Sequence, residues 1–259
     1  MNKKDETSWG GASNWYTTHL EKKADTYQRQ VILPNVLRIL EIKKGQKIID
    51  IACGPGFFSR AFFNAGAKVT GVDISQELII QAKNLSDEQI DYRICGADNL
   101  SFSDNNVYDL ATIILALQNI EDMDKTLAEA SRVLKEGGRL VLVLMHPAFR
   151  IPSRSSWGYD EKNKTQYRRI DGYLTKSKSK LLVHPSKIDS PITLSYHHSI
   201  QDLSLSLNKN DLLISRIEEW ISDKKSQNGP RRVAEDVART EIPLFMMIET
   251  KKITKFISN

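Results

Sequence analysis

Two rhythms of apolar and polar positions divide the chain. Short apolar runs bounded by turn residues recur at 47–51 (KIIDI), 68–72 (KVTGV), 91–95 (DYRIC), 108–115 (YDLATIIL) and 139–145 (RLVLVLM). Between them, 57–65, 76–85 and 123–134 carry helical spacing with few breakers. Continuous apolar runs suit strands covered on both faces, and strands alternating with helices at this spacing predict a parallel sheet with helices on both sides. Ahead of the first strand, 13–40 reads as helical, with Pro34 as the expected break and the end near Lys43-Lys44-Gly45. After 145 the rhythm changes. The run 192–198 alternates and reads as a strand, 200–207 as a helix, 212–217 as a strand, 233–240 as a helix and 243–250 as a last strand.

The junction of the first strand and its helix carries the chemistry. In Asp50-Ile51-Ala52-Cys53-Gly54-Pro55-Gly56, an acid at the strand end precedes two glycines. Glycine there lets the backbone bend and a ligand approach, and the following helix N-terminus presents unpaired N–H groups. A dinucleotide fingerprint would need a third glycine where this chain has Ser59.

The string resembles the first motif of class I S-adenosylmethionine (SAM) dependent methyltransferases, in the small-molecule, methyltransferase type 11/25-like branch. It departs from that pattern at Ala52, where glycine is more usual. The resemblance implies a Rossmann-like α/β fold: a seven-stranded, mostly parallel sheet with helices on both faces and a C-terminal antiparallel hairpin. It also implies one class I methyltransferase domain over 1–259, with an N-terminal helical cap at 12–44 and an insertion or lid at 147–190.

Further candidates fall at successive strand ends. Asp73 ends the second strand 17 residues after Gly56, where a carboxylate accepts hydrogen bonds from a ribose diol in dinucleotide folds; the family uses the same device. Ile74 would then pack on adenine, while Ser75 reads as a helix N-cap. Ala97 and Asp98 match the position that recognises the adenine amino group, Gln118 follows the fourth strand where the family lines the methionine end, and Asp50 would lie near the methionine amino group. Tyr16 and Tyr27 resemble aromatics that close over SAM, although both also suit packing. The implied cofactor is SAM, with S-adenosylhomocysteine as product.

Composition adds a substrate side. The 259 residues carry a net charge of +5, and 150–189 holds ten Lys/Arg against four Asp/Glu, so the basic character belongs to the insertion. Arg150, Arg154 and Trp157, with Tyr196 beyond them, are candidates to hold a planar or anionic acceptor. His146 and His197 are candidate bases, because imidazole titrates near neutral pH; a strand-end histidine bonded to backbone is the plainer reading of each. His198 stands where the family commonly has Arg.

The expected activity is methyl transfer to a small anionic or aromatic acceptor, on oxygen, nitrogen or carbon. The alternatives are an RNA or protein methyltransferase docking through the basic insertion, and a non-catalytic SAM-binding subunit. Pyrimidine C5 chemistry needs a nucleophilic cysteine, and neither Cys53, in the glycine turn, nor Cys95, in the third strand, suits it. No metal-spaced cluster is evident. No apolar run reaches the length of a membrane span, and the start MNKKDETSWGG lacks an apolar core, so a cytoplasmic location is expected.

Overall fold

The computed structural model describes residues 9–183 and 192–254. Most of the expected polar start (1–11) and the end of the expected insertion lie outside these residues. The sequence runs through α1 (Trp9–Lys22), a π-helical turn (Gln28–Ile32), α2 (Leu33–Leu40), β1 (Lys47–Ile51), α3 (Phe57–Asn64), β2 (Lys68–Asp73), α4 (Gln76–Leu85) and β3 (Asp91–Ile94). It continues through β4 (Tyr108–Ile114), a 3-10 turn (Leu117–Asn119), α5 (Met123–Val133) and β5 (Leu134–Met145). Then come β6 (Ser155–Asp160), β7 (Thr165–Ile170), β8 (Ser177–Leu182), β9 (Ile192–His197), α6 (Ile200–Lys209), β10 (Leu212–Trp220), α7 (Arg232–Glu241) and β11 (Phe245–Lys252).

One seven-stranded sheet has the order β10-β11-β5-β4-β1-β2-β3. β1 to β5 are parallel, and β11 runs antiparallel to both β5 and β10. β1 pairs with β2 on one side and β4 on the other, so strand order reverses there and opens a crevice beyond the carboxyl ends. Alternating side chains feed two cores. Ile48, Val141, Val143 and Met247 pack with Leu20, Ile39, Phe62 and Ile79 on one face. Ile49, Leu140, Leu142 and Ile248 pack with Leu127, Leu203 and Leu207 on the other.

Three local expectations are corrected. The leading helix breaks at 23–27 rather than at Pro34, which sits in the first turn of α2, where a missing N–H costs nothing. β5 begins at Leu134, earlier than the glycine pair suggests, because Gly137 turns within the strand at φ +72°. The segment after β5 is two antiparallel hairpins, β6–β7 and β8–β9. Its polar composition hid them: β7 and β8 alternate only between exposed and half-buried positions, so no apolar face announces a strand. The β8–β9 hairpin is tied to the loop after β4 by Asn119, whose Nδ2 donates to the Leu194 carbonyl at 2.8 Å.

Candidate active site

A cavity of about 1020 Å³ lies across the carboxyl ends of β1, β2, β4 and β5, roofed by α1 and by both hairpins. Small-molecule sites span ~300–1,000 Å³, so there is room for a nucleoside and a second ligand.

The floor is strained. Ala52 and Leu115, which end β1 and β4 at the cleft, have φ +57° and +54°. A left-handed non-glycine residue costs about 1–2 kcal/mol and persists where its surroundings fix it. Leu115 is held by donating its N–H to the Val143 carbonyl, and its own carbonyl accepts from Gln118 Nε2 at 2.8 Å. Nothing in the sequence marks Leu115.

Gly54 (φ +57°) faces the cleft, with the Tyr16 ring 3.7 Å from where a Cβ would lie. Its N–H donates to Asp73 Oδ2 at 2.9 Å, while the Ser75 N–H donates to Asp73 Oδ1 at 2.9 Å. Burial raises the Asp73 carboxyl above its ordinary value against the pull of these amides. Ser75 also caps α4, accepting from the Leu78 N–H. Gly56 does not line the cleft: it caps α3 at φ +76°, and a Cβ there would collide with the Tyr92 ring. Its lack of a side chain serves packing behind the turn.

Asp50 lies under the glycine turn, only 2% exposed, with Ser59 Oγ donating to Oδ2 at 2.6 Å and Thr112 Oγ1 to Oδ1 at 2.8 Å. Desolvation pushes its carboxyl up to about 6 despite those two bonds. Each oxygen already accepts one hydroxyl, and the little of Asp50 that is exposed lines the cleft floor. Ser59 thus has a structural reason to replace the third glycine.

Ile74, Ala97, Asp98 and Gln118 line the same cleft. Ile74 is 57% exposed at its edge, and Gly96 brings it beside Asp98: a Cβ at Gly96 would meet Asp98 Oδ1 at 2.6 Å and Ile74 Cδ1 at 4.0 Å. Gln118 Oε1 is buried with no hydrogen-bond partner among the described residues, a vacancy for a donor at that end of the cleft. Tyr16 and Trp9 stack 5.1 Å apart on α1 over the turn, and desolvation pushes the Tyr16 hydroxyl up to about 12. Tyr27 is elsewhere: its hydroxyl pairs with Ser222 Oγ at 3.0 Å and its ring meets Phe245 edge-on.

The histidines sort themselves. His146 lies outside the cleft, with Nε2–H donating to Glu219 Oε1 at 2.6 Å and Nδ1 accepting from the Ala148 N–H. Burial holds its pKa below the usual 6.5. It anchors the turn after β5. His197 is buried at the cleft wall, its Nε2–H donating to the Tyr173 carbonyl at 2.7 Å. His198, which sequence reasoning passed over, lines the cleft with neither ring nitrogen partnered among the described residues. Desolvation lowers its pKa from 6.5, helped by Lys176 and His197 and opposed by Asp202 and Asp124.

On the hairpin side, Arg150, Arg168, Ser155 and Tyr196 face the cleft. Trp157 stands behind the two arginines, and Arg154 lies against Gly172; neither lines the cleft. Burial pushes the Cys53 thiol well up and the Cys95 thiol to about 11, so neither is a ready nucleophile. Among the described residues no group of three or more His, Cys, Asp or Glu is placed to hold a metal ion, and no helix is long and apolar enough to cross a membrane.

Comparison with known proteins bears on the domain and the fold. Residues 49–142 match the methyltransferase domain family. The chain is 37% identical over 113 residues to the demethylmenaquinone methyltransferase of Paenarthrobacter aurescens, covering 43% of this chain and 44% of that one. It is 37% identical over 99 residues to the malonyl-[acyl-carrier protein] O-methyltransferase of Erwinia billingiae, covering 38% and 39%. The chain thus spans less than half the length of these relatives. A crystal structure of a SAM-dependent methyltransferase from Mesorhizobium loti superposes with a TM-score of 0.65 over 84% of this chain and 96% of that one, at 24% identity.

Proposed function

We propose that this chain, whose residues 49–142 match the methyltransferase domain family and whose fold is that of a SAM-dependent methyltransferase, transfers a methyl group from SAM to a small acceptor that is anionic or aromatic. The observation that carries this reading is the joint orientation of Asp73, Asp98 and Gly54 into one strand-end cleft. The residues present suit a sulfonium nucleoside. Asp73 has lone pairs for a ribose diol, Ile74 offers an apolar platform beside Asp98, and the orphaned Gln118 oxygen awaits a donor such as an ammonium group.

Bound SAM supplies an activated methyl group on a good leaving group. The protein's share is alignment, since an in-line displacement gains most from holding the reacting atoms close and collinear. Asp73, Ile74, Asp98 and Gln118, at the ends of β2 to β4, would hold the nucleoside beneath Tyr16, and the half of the cleft under the hairpins would take the acceptor. Water is excluded by the apolar wall of Leu181, Leu194 and Leu203. Where the acceptor atom must lose a proton, His198 is placed to take it, because its nitrogens are uncommitted and its ring is held neutral.

Incubation with labelled SAM and a fractionated small-molecule extract tests the reading. Label should pass to a small anionic or aromatic compound; label recovered only in RNA or protein would redirect it, and bound but untransferred SAM would point to a binding subunit.

A further inference from the structure

Arg150 and Arg168 are an unusual pair. Their guanidinium carbons each lie 5.1 Å from the centroid of the Trp157 indole, and both side chains are half-buried at the cleft wall. Arg168 is fixed: Nε donates to the Phe149 carbonyl at 2.8 Å and Nη2 to Ser155 Oγ at 2.7 Å, while Nη1 has no hydrogen bond among the described residues. The Arg150 guanidinium makes none there, and its Nε is buried without a partner. No carboxylate among the described residues pairs with either. The hairpin acids are committed elsewhere, Glu161 to Arg231, Asp171 to Arg169 and Asp160 to Asn163, and the groups that act on Arg150 by charge are Arg168 and Arg239, with Tyr27 opposing them.

Two cations that feel each other's charge and are taken partly out of water, with donors left over, are costly unless an anion completes them. Trp157, cross-strand from Arg168 in β6–β7, presents its ring to both guanidinium groups. Around them the cleft is apolar, with Pro147, Ile151, Pro152, Leu181 and Leu182 close in the chain or across the hairpins.

We propose that Arg150 and Arg168 form an oxyanion clamp that holds a carboxylate or phosphate ester on the methyl acceptor, whose apolar body lies along the adjoining wall. The clamp rests on the methyltransferase reading for the word acceptor, but its binding chemistry does not. The acceptor class is therefore an amphiphilic acid. Trp157 is a positioning residue: it orients the arginines and leaves ligand contact to them. Burial beside Arg168 also brings the Arg150 guanidinium down to about 10, the signature expected of a cation without its counter-ion.

Calorimetry tests this with benzoate, octanoate and phenyl phosphate against their neutral counterparts benzamide and octanamide, on protein loaded with S-adenosylhomocysteine. At least one acid should bind about tenfold or more tightly than its amide. Benzoate or octanoate as the tighter ligand identifies a carboxylate; phenyl phosphate identifies a phosphate ester. Arg150→Gln and Arg168→Gln should each erase the preference, Arg150→Lys should keep part of it, and Arg169→Gln, an exposed neighbour paired with Asp171, should keep all of it. Amides binding as well as acids, no acid binding at all, or Arg169→Gln losing as much as Arg150→Gln would overturn the clamp. If S-adenosylhomocysteine itself fails to bind, the methyl-donor reading falls, and the same titrations on the unloaded protein still decide the clamp.

Discussion

The N–H of Gly54 donates to Asp73 Oδ2 at 2.9 Å, joining the ends of the first two strands through the residue that shapes the turn and the residue that would hold the sugar. The acid is therefore oriented before any ligand arrives. Replacing Asp73 with Ala removes two accepted amide bonds, leaving the Gly54 and Ser75 N–H groups short of partners. Stability should fall by about 1–3 kcal/mol in a denaturant melt, the usual penalty for unpaired buried donors.

Asp50 should make the protein less stable as pH rises. Its folded pKa of about 6 lies above the ordinary carboxylate value of 3.8, so its proton-linked stability is complete below about pH 4 and is lost as pH climbs through 6. A shift of this size corresponds to about 3 kcal/mol at neutral pH. Asp50→Asn, which keeps the size and hydrogen-bonds Ser59 and Thr112, should match the wild type near pH 4 and exceed it at pH 7.5. Parallel melting curves across that range would show the account of Asp50 to be wrong.

Ala52 carries the strain of a left-handed residue where the related pattern has glycine. Ala52→Gly should relieve it. The gain is partly offset by the greater freedom of glycine in the unfolded chain, leaving a net stabilisation of about 0.5–1 kcal/mol. Ala52→Val should destabilise by more than that, because a branched Cβ fits the left-handed region worse still. Urea titration of the two variants checks both signs.

The histidines give a contrast. His146→Ala removes the bond to Glu219 and should cost about 1–3 kcal/mol of stability while leaving S-adenosylhomocysteine affinity unchanged. His198→Gln should melt close to the wild type, yet slow transfer to an acceptor that must lose a proton by about 10²–10⁴-fold. Because burial lowers the His198 pKa from 6.5, the folded form resists protonation, and stability contributed by neutral His198 is lost as pH falls below 6.5. NMR titration of the ring should place its midpoint below 6.5; a midpoint above it would exclude a ready neutral base at physiological pH.

The sheet and the strand-end wall of the cleft were legible because they rest on local signals. Apolar runs such as 139–145 and 47–51 state their burial directly, and Gly54, Asp73, Ile74, Asp98 and Gln118 fall at strand ends that the alternation itself locates. The acceptor side was legible only in part: Arg150, Tyr196 and His197 were named from the sequence and line the cleft, but most of the hairpin framework around them was not. β7 and β8 alternate polar with polar, so the hairpins that carry Arg168 and face His198 toward the cleft left no apolar pattern. Which of two neighbouring histidines is engaged depends on a bond to the carbonyl of Tyr173, 24 positions away, which the order of residues does not display. Tyr27 and His146 lie outside the cleft, bonded to Ser222 and Glu219 from the far end of the chain, which the order of residues does not display either.

The most direct measurement is calorimetric titration of wild type and Asp73→Ala with S-adenosylhomocysteine and with NAD. Saturable binding of S-adenosylhomocysteine to the wild type, at least about tenfold weaker in the variant through loss of the ribose bonds, with no heat from NAD, is the predicted result. Equal affinity in both proteins, or preferential binding of NAD, would contradict it.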